Sequence, residues 1–124
     1  MLTNSPVSSV LPVADMARAK EFYQDKLGLA LLPESIPGTA EFEAGEGTRI
    51  QLYEHGLPKA ENTAASFEVS DIAATVRELK DNGVTFEEYD FPDLKTVDSI
   101  ATMGSMQAAW FKDTEGNILC LHQG

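Results

Sequence analysis

The chain states one pattern twice. Val13-Ala14-Asp15-Met16-Ala17 returns as Val69-Ser70-Asp71-Ile72-Ala73, and Glu46-Gly47-Thr48-Arg49-Ile50-Gln51-Leu52 returns as Glu115-Gly116-Asn117-Ile118-Leu119-Cys120-Leu121. Two landmarks in the same order within each half indicate an internal duplication, and a repeat restricts the possible folds more than composition does. Each copy reads β-α-β-β-β. In the first, VSSVLPV (7–13) is a strand, and Asp15 caps a helix over MARAKEFYQDKLG. Met16, Ala19, Phe22, Tyr23 and Leu27 fall at helical spacing there, and Gly28 is the stop. Three strand-like runs follow, LALLPE, TAEFEAG and TRIQLYE. In the second copy SFEV (66–69) is the strand, and Asp71 caps a helix over IAATVRELKDNG that Gly83 ends. VTFEEYDF, MQAAWFKD and NILCLHQ supply the later strands.

The copies differ by an insertion, FPDLKTVDSIATMGSM (91–106). Its Pro92, Gly104 and small residues predict a loop, and a long loop in a small domain is expected to act as a lid or rim. A small curved sheet with one helix buries only the side that faces the helix. A second copy beside it makes a cup with a ligand-sized concave face. The expected fold is therefore α+β: two tandem βαβββ modules, about 5–56 and about 62–124, forming a curved, open barrel-like sheet around a central cup, with the helices outside. Residues 1–124 then make a single domain.

Composition excludes several classes of function. Hydrophobic residues at 43% and charged residues at 23% describe a globular chain, and 124 residues bury a core without staples. One cysteine rules out an intrachain disulfide and suits a reducing compartment. The start MLTNSPVSSV has no basic segment followed by an apolar one, so no signal peptide is expected and the location reads as cytoplasmic. No apolar run is long enough to span a bilayer. Nine basic against twenty acidic residues give a net charge of −11, which argues against nucleic-acid and membrane partners.

Strand alternation assigns faces. Ser8, Val10 and Pro12 face the cup, as do Arg49, Gln51 and Tyr53; Ala64, Ser66 and Glu68; and Ile118, Cys120 and His122. Trp110, Met103 and Met106 are further walls. This mixture of apolar and aromatic groups with a few polar ones suits an organic small molecule. Arg49 either meets a ligand carboxylate or pairs with an acid across the sheet. Glu68 and His122 are the candidates for moving a proton, and Tyr53 and Trp110 for stacking. Cys120 and His122 lie two apart, roughly 7 Å along a strand, beyond direct hydrogen-bond reach. His55, in EHGLP, sits in a turn.

LPVADMARAKEFYQDKLGL resembles the opening of the vicinal oxygen chelate superfamily, which includes glyoxalase I, bleomycin-resistance proteins and extradiol dioxygenases. KDTEGNILCL resembles that family's closing D-P-D-G-N turn and last strand, with Thr114 and Glu115 in place of Pro and Asp. The likeness covers essentially the whole chain. It implies metal-ligand positions on the first and last strand of each half, which fall here on Ser8, Gln51, Ala64 and Cys120. Alanine cannot ligate, serine and glutamine are poor ligands for a transition metal, and Cys120 alone is a good one. No metal and no other cofactor are expected. The resemblance, with its metal positions so filled, implies a metal-independent protein that binds an organic ligand in the cup, as a homodimer. From strand parity and the insertion, the ligand-binding residues are expected to be Arg49, Gln51, Tyr53, Glu68, Met103, Met106, Trp110, Cys120 and His122. Two alternatives stand beside it. One is a glyoxalase-type lyase or isomerase with an atypical or absent metal site; the other is a protein that keeps the fold without activity.

Overall fold

A computed structural model of the chain describes residues 1–34, 36–59 and 61–124. The elements in chain order are β1 (Ser8–Val13), α1 (Met16–Glu21), β2 (Ala30–Leu31), β3 (Thr39–Glu43), β4 (Arg49–Glu54), β5 (Thr63–Glu68), α2 (Ile72–Asp81), β6 (Asp90–Phe91), β7 (Leu94–Val97), β8 (Ile100–Met103), β9 (Met106–Lys112) and β10 (Ile118–Gln123). The fold is α+β, with ten strands in two sheets and neither sheet closed into a ring. Two compact units divide it: Met1–Lys59 with Thr114–Asn117, and Ala60–Asp113 with Ile118–Gly124.

In the first unit alternation sets the sheet, in the order β1-β4-β3-β2. Leu11 and Val13, Ile50 and Leu52, and Ala40 and Phe42 occupy every second position and are buried, while Val10 and Arg49 are exposed. Each large side chain removed from water contributes roughly 1.5–3 kcal/mol. The Asp15 carboxylate accepts from the Arg18 N–H at 3.1 Å and starts α1. The expected single helix through Leu27 is instead an α-helix that widens into a π turn over Phe22–Lys26, where the Leu27 N–H donates to the Phe22 carbonyl at 3.1 Å. The widened turn accommodates two consecutive buried rings, Phe22 and Tyr23, with Tyr23 against Phe42 at 5.8 Å.

The second unit repeats this plan with more strands, in the order β5-β10-β9-β8-β7-β6. The Asp71 carboxylate accepts from the Ala74 N–H at 3.1 Å. α2 buries Ile72, Val76 and Leu79, and β9 and β10 bury Ala109, Phe111, Leu119 and Leu121. The insertion at 91–106 is not the loop expected. It forms β6, β7, β8 and the start of β9, joined by two-residue turns between the pairs Phe91↔Leu94, Val97↔Ile100 and Met103↔Met106. At the middle turn Asp98 (φ 52°) and Ser99 (φ 72°) are both left-handed, which matches the twist of a tight hairpin. Glu88 holds that turn. Its carboxylate accepts from the buried Ser99 hydroxyl, from the Ser99 N–H at 3.2 Å and from the Thr96 hydroxyl at 2.7 Å. The Ser99 hydroxyl, with help from Thr96, holds the Glu88 carboxyl below its usual range.

Candidate functional site

The helix-free face of the second sheet carries most of the candidates, and parallel pairing of β5 with β10 assembles them. Ser66 stands opposite Cys120 and Glu68 opposite His122, while β9 places Trp110 opposite Cys120 and Ala108 opposite His122. The result is a polar couple. Ser66 Oγ and His122 Nδ1 share a hydrogen bond of 2.6 Å. On the other side of the ring His122 Nε2 lies 3.8 Å from Glu68 Oε1, beyond hydrogen-bond range, and Glu68 is almost fully exposed. The couple presents an imidazole nitrogen and an exposed hydroxyl to solvent or to a ligand.

Trp110 has both ends fixed. Its indole N–H donates to Thr63 Oγ1 at 3.2 Å, and its ring meets Tyr89 edge to face at 5.8 Å. Burial, with the neighbouring Glu87 charge, pushes the Tyr89 phenol up, so it stays protonated as a donor. Met103 and Met106 pair across the β8–β9 turn, each about two-fifths exposed (41% and 42%). They are apolar groups on the same face as Ala108 and Trp110 by register.

Cys120 behaves differently from its neighbours. It is buried, and its thiol donates to the Leu121 carbonyl at 3.2 Å. Burial pushes the thiol up, and a hydrogen bond from Ser66 only partly offsets this. A protonated, buried thiol is a poor nucleophile and a poor ligand. Ala64 is the extra residue of a β-bulge: Ile118 pairs with Thr63 and Leu119 with Ala65, so simple alternation from Val69 does not hold past Ala65. Ala64 in any case has no donor atom. Ser8 and Gln51, in the first unit, offer an exposed hydroxyl and an amide. These donors do not fit a transition metal. Among the described residues no three His, Cys, Asp or Glu side chains gather where they could hold one.

On the helix-free face of the first sheet, Arg49 makes the cross-strand pair that was one of its two expected roles. Its Nη1 lies 2.6 Å from Glu41 Oε1 on β3. Gln51 stands opposite both Glu41 and Val10, and the Tyr53 ring lies 5.5 Å from that of His55, tilted by 34°.

Three residues that matter here lie outside the ligand-binding set expected from sequence: Ser66 as the partner of His122, and Thr63 and Tyr89 as the supports of Trp110. Ser66 was already placed on the right face, and its signal was the parallel pairing of first and last strands in each copy. A fourth is Glu115, which the sequence marks as a repeat landmark and as a departure from a turn motif. It is buried, and its Oε1 accepts from the Ala14 and Asp15 N–H groups, each at 2.9 Å. Arg18 Nε donates to its Oε2 at 2.7 Å and Arg18 Nη2 to its Oε1 at 3.1 Å. The Arg18 guanidinium, with the Asp15, Thr114 and Ala14 donors, lowers the Glu115 carboxyl to about 2 despite the cost of burial. This carboxylate fixes the start of α1 and thereby the end of β1.

Comparison with known proteins agrees with this architecture. The family model described as Glyoxalase/Bleomycin resistance protein/Dioxygenase superfamily matches residues 6–121. TnmS3, an antibiotic binding protein from Streptomyces sp. CB03234, superposes with a TM-score of 0.71 at 22% identity, over 99% of this chain and 98% of its own. An integron cassette protein from the mobile metagenome of V. Cholerae gives 0.69 at 23% identity, over 99% and 96%. A lactoylglutathione lyase from Agrobacterium tumefaciens gives 0.67 at 18% identity, over 100% and 96%. No curated protein matches the chain by sequence.

Proposed function

Since the chain belongs to the glyoxalase/bleomycin resistance protein/dioxygenase superfamily, we propose that it is a metal-independent binding protein for an organic small molecule. The observation that carries this reading is the helix-free face of the second sheet. There a fixed aromatic pair, Trp110 and Tyr89, stands on the sheet that also carries one polar couple, Ser66 and His122. The last-strand ligand position of the family is filled by a thiol that burial keeps protonated. Such a surface recognises a flat organic molecule by stacking and one or two hydrogen bonds. The net charge of −11 favours a neutral or cationic ligand over an anion on this face. The antibiotic binding relative supports the same class of ligand. In this reading the protein is a cytoplasmic homodimer, and light scattering on the purified protein checks the dimer.

A thermal-shift screen of aromatic and cationic compounds, antibiotics included, tests the proposal. A ligand that binds the folded chain raises the melting temperature, and above its Kd the rise continues with the logarithm of ligand concentration. Trp110→Ala then weakens binding by about tenfold, from lost stacking and area. Stoichiometric zinc, nickel or iron in protein purified without chelator overturns the metal-free reading. A second reading, acid–base catalysis of the lyase or isomerase type, draws on the Ser66–His122 hydrogen bond, which orients an imidazole. Turnover of a glutathione hemithioacetal that His122→Ala abolishes would favour it.

A further inference from the structure

A large groove lies on the helix side of the second sheet, away from Trp110 and His122. It has a volume of about 610 Å³ and lies between α2 and the strands that the insertion adds. Its origin is geometric. A helix about 10 Å wide covers roughly two strand spacings of 4.8 Å, whereas this sheet has six strands. α2 lies over β9 and β10, so the helix side of β7 and β8 stays uncovered. Register places Lys95, Val97, Ile100, Thr102 and Gln107 on that one side.

The lining is unusual for so acidic a chain. The second unit holds eleven acidic residues and four basic ones, Arg77, Lys80, Lys95 and Lys112. Three of those four, Arg77, Lys80 and Lys95, line the groove, and Asp98 is the one acid that does. Arg77 and Lys80 are one helical turn apart on α2, and Lys95 is on the strand side. Among the described residues no carboxylate comes within ion-pair distance of Arg77 or Lys95. The nearby acids are Asp90, opposite Lys95 on β6, and Glu88, whose carboxyl the Lys80 charge helps to lower. Val76, Val97 and Ile100 supply the apolar part of the lining, beside Thr102 and Gln107.

We propose that this groove is a second binding site, for a small organic anion with an acidic head on an apolar body. Arg77 and Lys95 hold the head, and Val97 and Ile100 cover the body. The volume falls in the range of small-molecule sites, roughly 300–1,000 Å³. The site does not depend on the reading of the opposite face, and it selects the opposite ligand charge.

The test is a titration of the isotope-labelled full chain with 8-anilinonaphthalene-1-sulfonate, an aryl sulfonate, followed by amide chemical shifts and by fluorescence. The expected shifts lie within residues 73–80 and 95–107. The double variant Arg77→Ala/Lys95→Ala binds about tenfold more weakly, because two charge contacts are lost. Arg77→Lys retains most of the affinity. N-phenyl-1-naphthylamine, the same rings without the sulfonate, binds about tenfold more weakly to the wild-type chain and so tests the charge without any variant. Shifts confined to Ser66, Trp110 and His122 overturn the proposal. So does equal affinity of the double variant, or equal affinity of the uncharged analogue.

Discussion

The two units start from one plan and solve the same local problem with different chemistry. Each opens with a strand, turns at an Asp N-cap into a helix, and needs an acceptor for part-buried N–H groups where the chain enters the helix. In the first unit that acceptor is a buried carboxylate, Glu115, tied to Arg18. In the second it is a neutral amide: Gln123 Oε1 accepts from the Ile72 N–H at 2.7 Å. The first solution gives a strong, pH-sensitive pin and a paired charge; the second gives a weaker, pH-insensitive one. The difference extends across each sheet. In the first unit Arg18 and Arg49 are matched to Glu115 and Glu41, whereas in the second the added strands leave Arg77 and Lys95 facing a groove. Duplication supplied the frame twice, and the copy that gained strands also gained a groove lined by Arg77, Lys80 and Lys95.

The largest test of this contrast is Glu115→Ala. It leaves the Ala14 and Asp15 N–H groups and the Arg18 guanidinium without their acceptor, and the expected loss is about 2–4 kcal/mol in urea denaturation. Linkage fixes the sign of the pH effect. The folded carboxyl titrates at about 2 against an ordinary value of 4.5. Its contribution is therefore complete above 4.5 and declines as pH falls toward 2. The acid limb of the stability curve should flatten in Glu115→Ala.

Ser99→Ala removes the hydroxyl bonded to Glu88 and should cost about 1–2 kcal/mol, read by thermal unfolding. Because the Glu88 carboxyl is also lowered in the folded state, that loss shrinks as pH falls through the carboxylate range. Gln123→Ala should cost about 1 kcal/mol, with no pH dependence between 2 and 7. A pH-dependent loss there would erase the contrast between the two pins. Arg49→Ala comes last, at no more than about 0.5 kcal/mol, because its pair with Glu41 is half exposed and salt screens it.

The frame was legible in the sequence because alternation and caps are local signals. Leu11 and Val13, Ile50 and Leu52, Asp15 and Asp71 each declare their role within a few residues. The insertion reads as a loop in sequence for a physical reason. Pro92, Asp98-Ser99 and Gly104 are loop formers in composition, but spaced by four-residue alternations they are hairpin turns. The Ser66–His122 couple was half legible: strand parity put both on one face, but their contact needs two strands distant in sequence to pair in parallel. The bulge at Ala64 left no mark. The role of Glu115 was hidden because its partners lie about a hundred residues away, and a buried carboxylate is recognisable only once its donors are known.

Cys120 gives the closing strand a built-in clock. It is the chain's one cysteine, it is 6% exposed, and its thiol is bonded to the backbone. A maleimide therefore reaches it only when β10 parts from its neighbours. The labelling rate, divided by that of a free thiol at the same pH, reports how often the strand opens. A molecule that stacks on Trp110, opposite Cys120 in the ladder, should slow that clock without touching the sulfur.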